Sequence, residues 1–227
     1  MTTKTISKFC LIAALGLASV AFTSAKDDEL KSGGSDPKTT DTGVVINGVK
    51  WATRNVDAFG TFAATPESAG MFYQWNRPQA WNATDTIVTG WDNTLPTGTT
   101  WEKANDPCPT GWRVPTLEEQ ESLFKMFDTE EGTEKVTDEW TTQNGVIGRR
   151  FTDKATGASL FLPAVGYRFW SHGKLVKADM QSNYWSSTWH HYRNALYACN
   201  IYVGPGDAYI SSFGEYSHGY SVRCVSE

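Results

Sequence analysis

The chain has 227 residues, with 20 lysines and arginines against 25 aspartates and glutamates, a formal charge of −5 at pH 7, and ten tryptophans among an aromatic content of 13%. An acidic balance of this kind excludes nucleic acid as a partner held by bulk charge. No apolar run approaches the length needed to cross a bilayer as a helix, so no transmembrane segment is expected.

Lys4 and Lys8 give the N-terminus a basic start, Cys10–Phe22 is nearly unbroken in apolar or small residues, and Thr23, Ser24 and Ala25 follow. Basic, apolar and small in that order is the pattern of a secretory signal peptide over 1–25, with a mature chain beginning at Lys26. Residues 26–43 are Gly, Ser, Thr, Pro and charge with almost no apolar content, the composition of a flexible polar linker. Residues 44–227 then form one domain, long enough for one well-buried core.

Val44–Ile46 and Val49–Asn55 alternate apolar residues on either side of Asn47-Gly48, which predicts a hairpin with a two-residue turn. From Asp57 to Pro107 no period is sustained, so this stretch is a long loop packed by its own aromatics or used for function. Thr116 and Glu119 form a capping box, and Leu117, Leu123, Phe124 and Phe127 supply an apolar face, predicting one helix in PTLEEQESLFKMF. Short strands are expected at Val146–Phe151, Ser159–Leu162, Lys174–Lys177, Tyr184–Ser187, Ala195–Val203, Ala208–Phe213 and Tyr220–Val225, separated by Gly, Asp, Asn and Pro. The pattern is that of an α+β domain with an antiparallel sheet.

Three cysteines follow the signal, Cys108, Cys199 and Cys224, and an odd number in an oxidising compartment implies one disulfide and one thiol. Spacing leaves the pair open. No zinc-ligand spacing, nucleophile elbow, phosphate loop or zincin motif is present, so neither metal nor cofactor is expected and the chain does not read as an enzyme.

Four stretches, INGVKWATRNV, CPTGWRVPTLEE, LPAVGYR with YWSST, and the closing GYSVRCV, together resemble the Fibrobacter succinogenes major paralogous domain, a family of exported bacterial proteins related to the C-type lectin-like fold. The resemblance spans most of 44–227 and implies that fold, with Cys108 bonded to Cys224 and Trp112, Tyr167 and Trp185 as core aromatics. AFTSAKDDEL resembles the export signal of Bacteroidetes surface lipoproteins, but Ala25 stands where the lipid-bearing cysteine is expected, which argues for a secreted or cell-surface protein without a lipid anchor.

Residues 189–219 are crowded with Tyr, His, Ser, Gly, Asn, Asp and Arg, the mixture that paratopes favour, because tyrosine gives contact area at low entropy cost. Strand alternation puts Asp207, Tyr209, Ser211 and Phe213 on one face, and hairpins and loops are expected to bring His190, His191, Tyr192 and Arg193 beside it, so that these residues with Tyr216 and His218 cluster on one solvent-facing surface while Trp185 and Val222 turn inward. That surface is expected to bind a protein or glycan. Some members of the family are targets of diversity-generating retroelements, and residues 190–214 contain no Lys, Glu, Gln, Met or Trp, the residues unreachable by first- and second-position changes at asparagine codons. The competing readings are an enzyme related to formylglycine-generating proteins and a structural or adhesive component such as a pilus tip.

Overall fold

The computed structural model describes residues 36–96, 98–124, 134–192 and 195–227, all within one unit of the chain. Its first hairpin joins β1 (Val44–Ile46) to β2 (Val49–Trp51). Asn47 and Gly48 have φ of 46° and 85°, the left-handed geometry of a type I′ turn. The Asn47 amide donates to the Asp153 carboxylate at 2.8 Å, and its side chain donates to the Ser122 carbonyl at 3.0 Å, so the turn is tied to two distant segments.

Next in order come β3 (Phe72–Gln74), β4 (Ala80–Trp81) and β5 (Trp112–Arg113), then α1 (Leu117–Glu121), the one α-helix among the described residues. Thereafter the chain is strand after strand: β6 (Val136–Gln143), β7 (Val146–Asp153), β8 (Ser159–Pro163), β9 (Tyr167–Arg168) and β10 (Leu175–Val176). The last five are β11 (Ser182–Tyr192), β12 (Ala195–Val203), β13 (Ala208–Gly214), β14 (Gly219–Tyr220) and β15 (Val225–Ser226). Four antiparallel sheets result, ordered β1-β2-β15-β5, β10-β9-β14-β3-β4, β11-β12-β13 and β6-β7-β8. Among the described residues the α+β expectation therefore resolves to a β-rich fold with one short α-helix.

Two apolar cores lie on either side of β11. Trp185 belongs to one, with Tyr73, Trp75, Trp112, Val222 and Cys224, while its neighbour Tyr184 belongs to the other, with Trp51, Phe151, Leu162 and Val203. Successive side chains of a strand point to opposite faces, so one strand serves both. The Trp185 indole N–H donates to the Tyr73 carbonyl at 2.7 Å and the Tyr184 hydroxyl to the Pro163 carbonyl at 2.8 Å, which removes the cost of burying their polar atoms. Cys108 and Cys224 are bonded across a sequence separation of 116, and Cys199 is a buried thiol.

Among the described residues two arginines are fully buried. Arg223 donates twice to the Asn55 side-chain oxygen, at 2.7 and 3.0 Å, and to the Ala52 and Thr53 carbonyls. Arg168 donates to the Asn82, Asp85 and Gly173 carbonyls. Their planar forks let one side chain satisfy several loop carbonyls at once.

The structure corrects several expectations. The helix ends at Glu121, with the Leu123 and Phe124 amides reaching only three residues back, to Gln120 and Glu121. This tight turn directs Leu123 into the second core and sets Phe124 edge-on to Phe151. Phe127 lies outside the described residues. Tyr220–Val225 is not one strand: β14 pairs with β3, β15 pairs with β2 and β5, and Ser221 to Cys224 cross between the two sheets. Residues 36–43, read as linker, are pinned to the domain. The Asp41 carboxylate accepts from the Thr53 amide and hydroxyl and from Arg54, and Arg54 also donates to the Pro37 and Thr40 carbonyls. Residues 1–25 and 26–35 lie outside the described residues.

Candidate binding face

The C-terminal sheet is organised by its turns. Ser186 to Thr188 form a bulge in β11 between the pairs Trp185↔Asn200 and Trp189↔Ala198. The Ser187 amide donates to the Pro115 carbonyl at 2.7 Å, and the Thr188 hydroxyl accepts from the Leu117 amide at 2.9 Å, so the bulge is fastened to the start of α1. At the other end, the Gly204–Asp207 turn returns β12 into β13 and places Tyr202 opposite Tyr209. Arg149, nearly buried, donates to the Gly204 carbonyl at 2.8 Å and pairs with Asp138, fixing the turn to the β6-β7-β8 sheet.

On this mount the Tyr202 and Tyr209 rings stack with centroids 4.8 Å apart, and Tyr209 is 47% exposed. Burial, followed by the nearby Tyr202 and Asp207, pushes the Tyr209 phenol up from its ordinary value, so it remains a neutral donor and acceptor. Asp207 is exposed beside it. Gly204 leaves room for the Tyr202 ring, since a Cβ at that position would stand 2.4 Å from the Tyr202 hydroxyl and push the ring aside.

The nine residues expected on one surface are not brought together. His190 is exposed but pairs with Tyr197, five residues from Tyr202 along β12. An odd separation on a regular strand puts the two pairs on opposite faces, about 17 Å apart along the strand. Tyr216 is in the core, stacked on Trp75 at 4.8 Å, and burial and then the neighbouring Cys199 push its phenol up to about 12. His218 is partly buried among Tyr167, Phe169 and Tyr220, and burial lowers its pKa to about 4. Both leave the strand after β13 and are drawn inward by aromatic packing that alternation does not describe. Arg193 lies outside the described residues, as do the side chains of His191, Tyr192 and Phe213. Trp185 and Val222 point inward.

Asp207 and Tyr209 remain, and Tyr202 and Trp189 join the list of exposed or half-exposed aromatics on this sheet. Tyr202 had a sequence signal: a hairpin centred on Pro205-Gly206 sets 202 opposite 209. The Cys199 thiol is pushed up by burial, which disfavours a nucleophilic thiolate. Among the described residues no group of three or more His, Cys, Asp or Glu side chains is placed to hold a metal ion, and no helix is long and apolar enough to cross a membrane. Comparison of the chain with protein-family models, curated proteins and solved structures gives no match.

Proposed function

We propose that this chain is an exported recognition module of the C-type lectin-like class that binds a protein partner through the Tyr202–Tyr209 side of its C-terminal sheet. The observation that carries the reading is the stacked, solvent-facing tyrosine pair beside Asp207, on a turn held rigid by Arg149. Stacked tyrosines give large, stiff, amphipathic contact area, and a rigid mount lowers the entropy cost of docking. The lectin-like assignment is supported by the Cys108–Cys224 bond and by the first hairpin lying beside the last strand. Export rests on the signal-like order of residues 1–25. Retroelement diversification, if it operates on 190–214, is confined by packing to outward positions such as 202, 207 and 209, since Ala198, Ile201, Val203 and Ala208 are core residues.

Site-specific crosslinking tests this. A photo-reactive amino acid at position 209, in exported protein exposed to intact partner cells, is expected to capture a discrete protein adduct that the same group at Lys154 does not. Equal capture at both positions, or none at 209, rejects the face.

A further inference from the structure

A second surface lies on the loop between β4 and β5, carried by elements separate from the tyrosine face. Trp81, Asn82, Asp85, Ile87 and Thr89 line an open cleft of about 330 Å³. Trp81 packs against Trp91 with ring centroids 4.9 Å apart, and the Trp91 indole N–H donates to the carbonyl of Trp170, itself 37% exposed. Trp91 is slotted against Gly173, where a Cβ would stand 2.6 Å from the ring. Trp81 is therefore the indole that lines the cleft, backed by Trp91.

The cleft is held in shape from below. The Asn82 side-chain oxygen accepts from the Asp85 amide at 2.9 Å and its NH2 donates to one Asp85 carboxylate oxygen at 2.8 Å, closing the loop on itself. Buried Arg168 binds the Asn82 and Asp85 carbonyls, and the Thr86 carbonyl accepts from Leu175 at 2.9 Å. Asp85 and Thr89 remain exposed, and Asn82 keeps a second amide hydrogen. Among the described residues no Lys, Arg or His side chain lines the cleft; Arg168 lies behind it, donating to the Asn82, Asp85 and Gly173 carbonyls and to the Asn82 side-chain oxygen at 2.9 Å.

An indole beside amide, carboxylate and hydroxyl groups, with no cationic side chain in the lining, suits a ligand with one apolar ring face and a rim of hydroxyls. We infer that the cleft is a binding site for a neutral carbohydrate, a pyranose ring stacking on Trp81 while Asn82, Asp85 and Thr89 bond its hydroxyls. The exposed Asp85 carboxylate, with no cationic side chain in the lining, favours neutral over uronate or sulfated sugars.

Affinity electrophoresis of the exported chain through gels containing β-glucan, xylan, mannan or polygalacturonate tests the site. Retardation by at least one neutral polysaccharide is expected, with affinity reduced about tenfold by Trp81→Ala and by Ile87→Asp. The second variant places a charge on a side chain that is 69% exposed, so it leaves packing intact and separates loss of binding from loss of fold. Lys154→Ala, on another cleft, is expected to bind as the parent does. No retardation by any neutral polysaccharide, retardation by polygalacturonate alone, or parent-like binding by Ile87→Asp overturns the proposal.

Discussion

At the residue scale, His218 is where a side chain's surroundings contradict its type. It sits between Tyr167, Phe169 and Tyr220, and its Nδ1 is buried without a hydrogen-bond partner among the described residues. Burial lowers its pKa from 6.5 to about 4. The unfolded chain takes up this proton near the ordinary value, whereas the folded chain keeps the imidazole neutral until far lower pH. The histidine therefore favours folding fully above the unfolded pKa, and that contribution is lost as pH falls toward the folded one. The loss is about 2 kcal/mol between about pH 7 and about pH 4.5, allowing for the residual exposure of the ring. Unfolding free energies of the parent and His218→Phe, from urea titrations at those two pH values, should diverge by this amount. Parallel pH dependence in the two proteins would show that the imidazole titrates as in water.

At the element scale, α1 has only five residues and stands on its caps rather than its length. The Thr116 hydroxyl accepts from the Glu119 amide, and the Glu119 carboxylate accepts from the Thr116 amide at 2.8 Å and from both Arg113 terminal nitrogens at 2.6 and 2.8 Å. Burial opposes the Glu119 charge, but the bonds from Arg113 and Thr116 outweigh it and hold the pKa below the usual range. Glu119 thus joins the helix start to β5, whereas Thr116 serves the helix alone. Thr116→Ala is expected to cost about 1 kcal/mol and Glu119→Ala about 2 kcal/mol in chemical unfolding. Equal losses would mean that the Arg113 fork contributes nothing. The capping box was legible in the sequence because it depends on residues three apart, but the early end of the helix was not, because Leu123 and Phe124 are claimed by a core assembled from later strands.

At the scale of the whole molecule, the Cys108–Cys224 bond ties the approach to α1 to the end of the chain. It closes a loop of more than a hundred residues, and chain entropy assigns such a crosslink about 4 to 5 kcal/mol. The double variant Cys108→Ser, Cys224→Ser should lose that much stability by urea unfolding, while Cys199→Ala should not reproduce the loss. An unchanged midpoint in the double variant would place the stability of the fold elsewhere. The crosslink acts with the β5–β15 pairing, since both join the segment before α1 to the last strand, while β2–β15 joins that strand to the first hairpin.

Local patterns in the sequence by themselves determined the Asn47-Gly48 hairpin, the helix cap, the Ala195–Val203 strand and the inward side of β13, since each depends on neighbours a few residues apart. Tertiary structure alone decided which face each outward residue occupies. The bulge at 186–188, fastened to α1, and the Gly204–Asp207 turn, fastened by Arg149, separate His190 from Tyr209, and two aromatic stacks withdraw Tyr216 and His218 from solvent. It also decided that Asp36 to Gly43 pack, because Arg54 reaches back to carbonyls whose residues carry no apolar signal. The buried Arg168 and Arg223 were hidden for the same reason: an arginine enters a core only where distant loops turn enough carbonyls toward it, and no window of sequence contains those loops together.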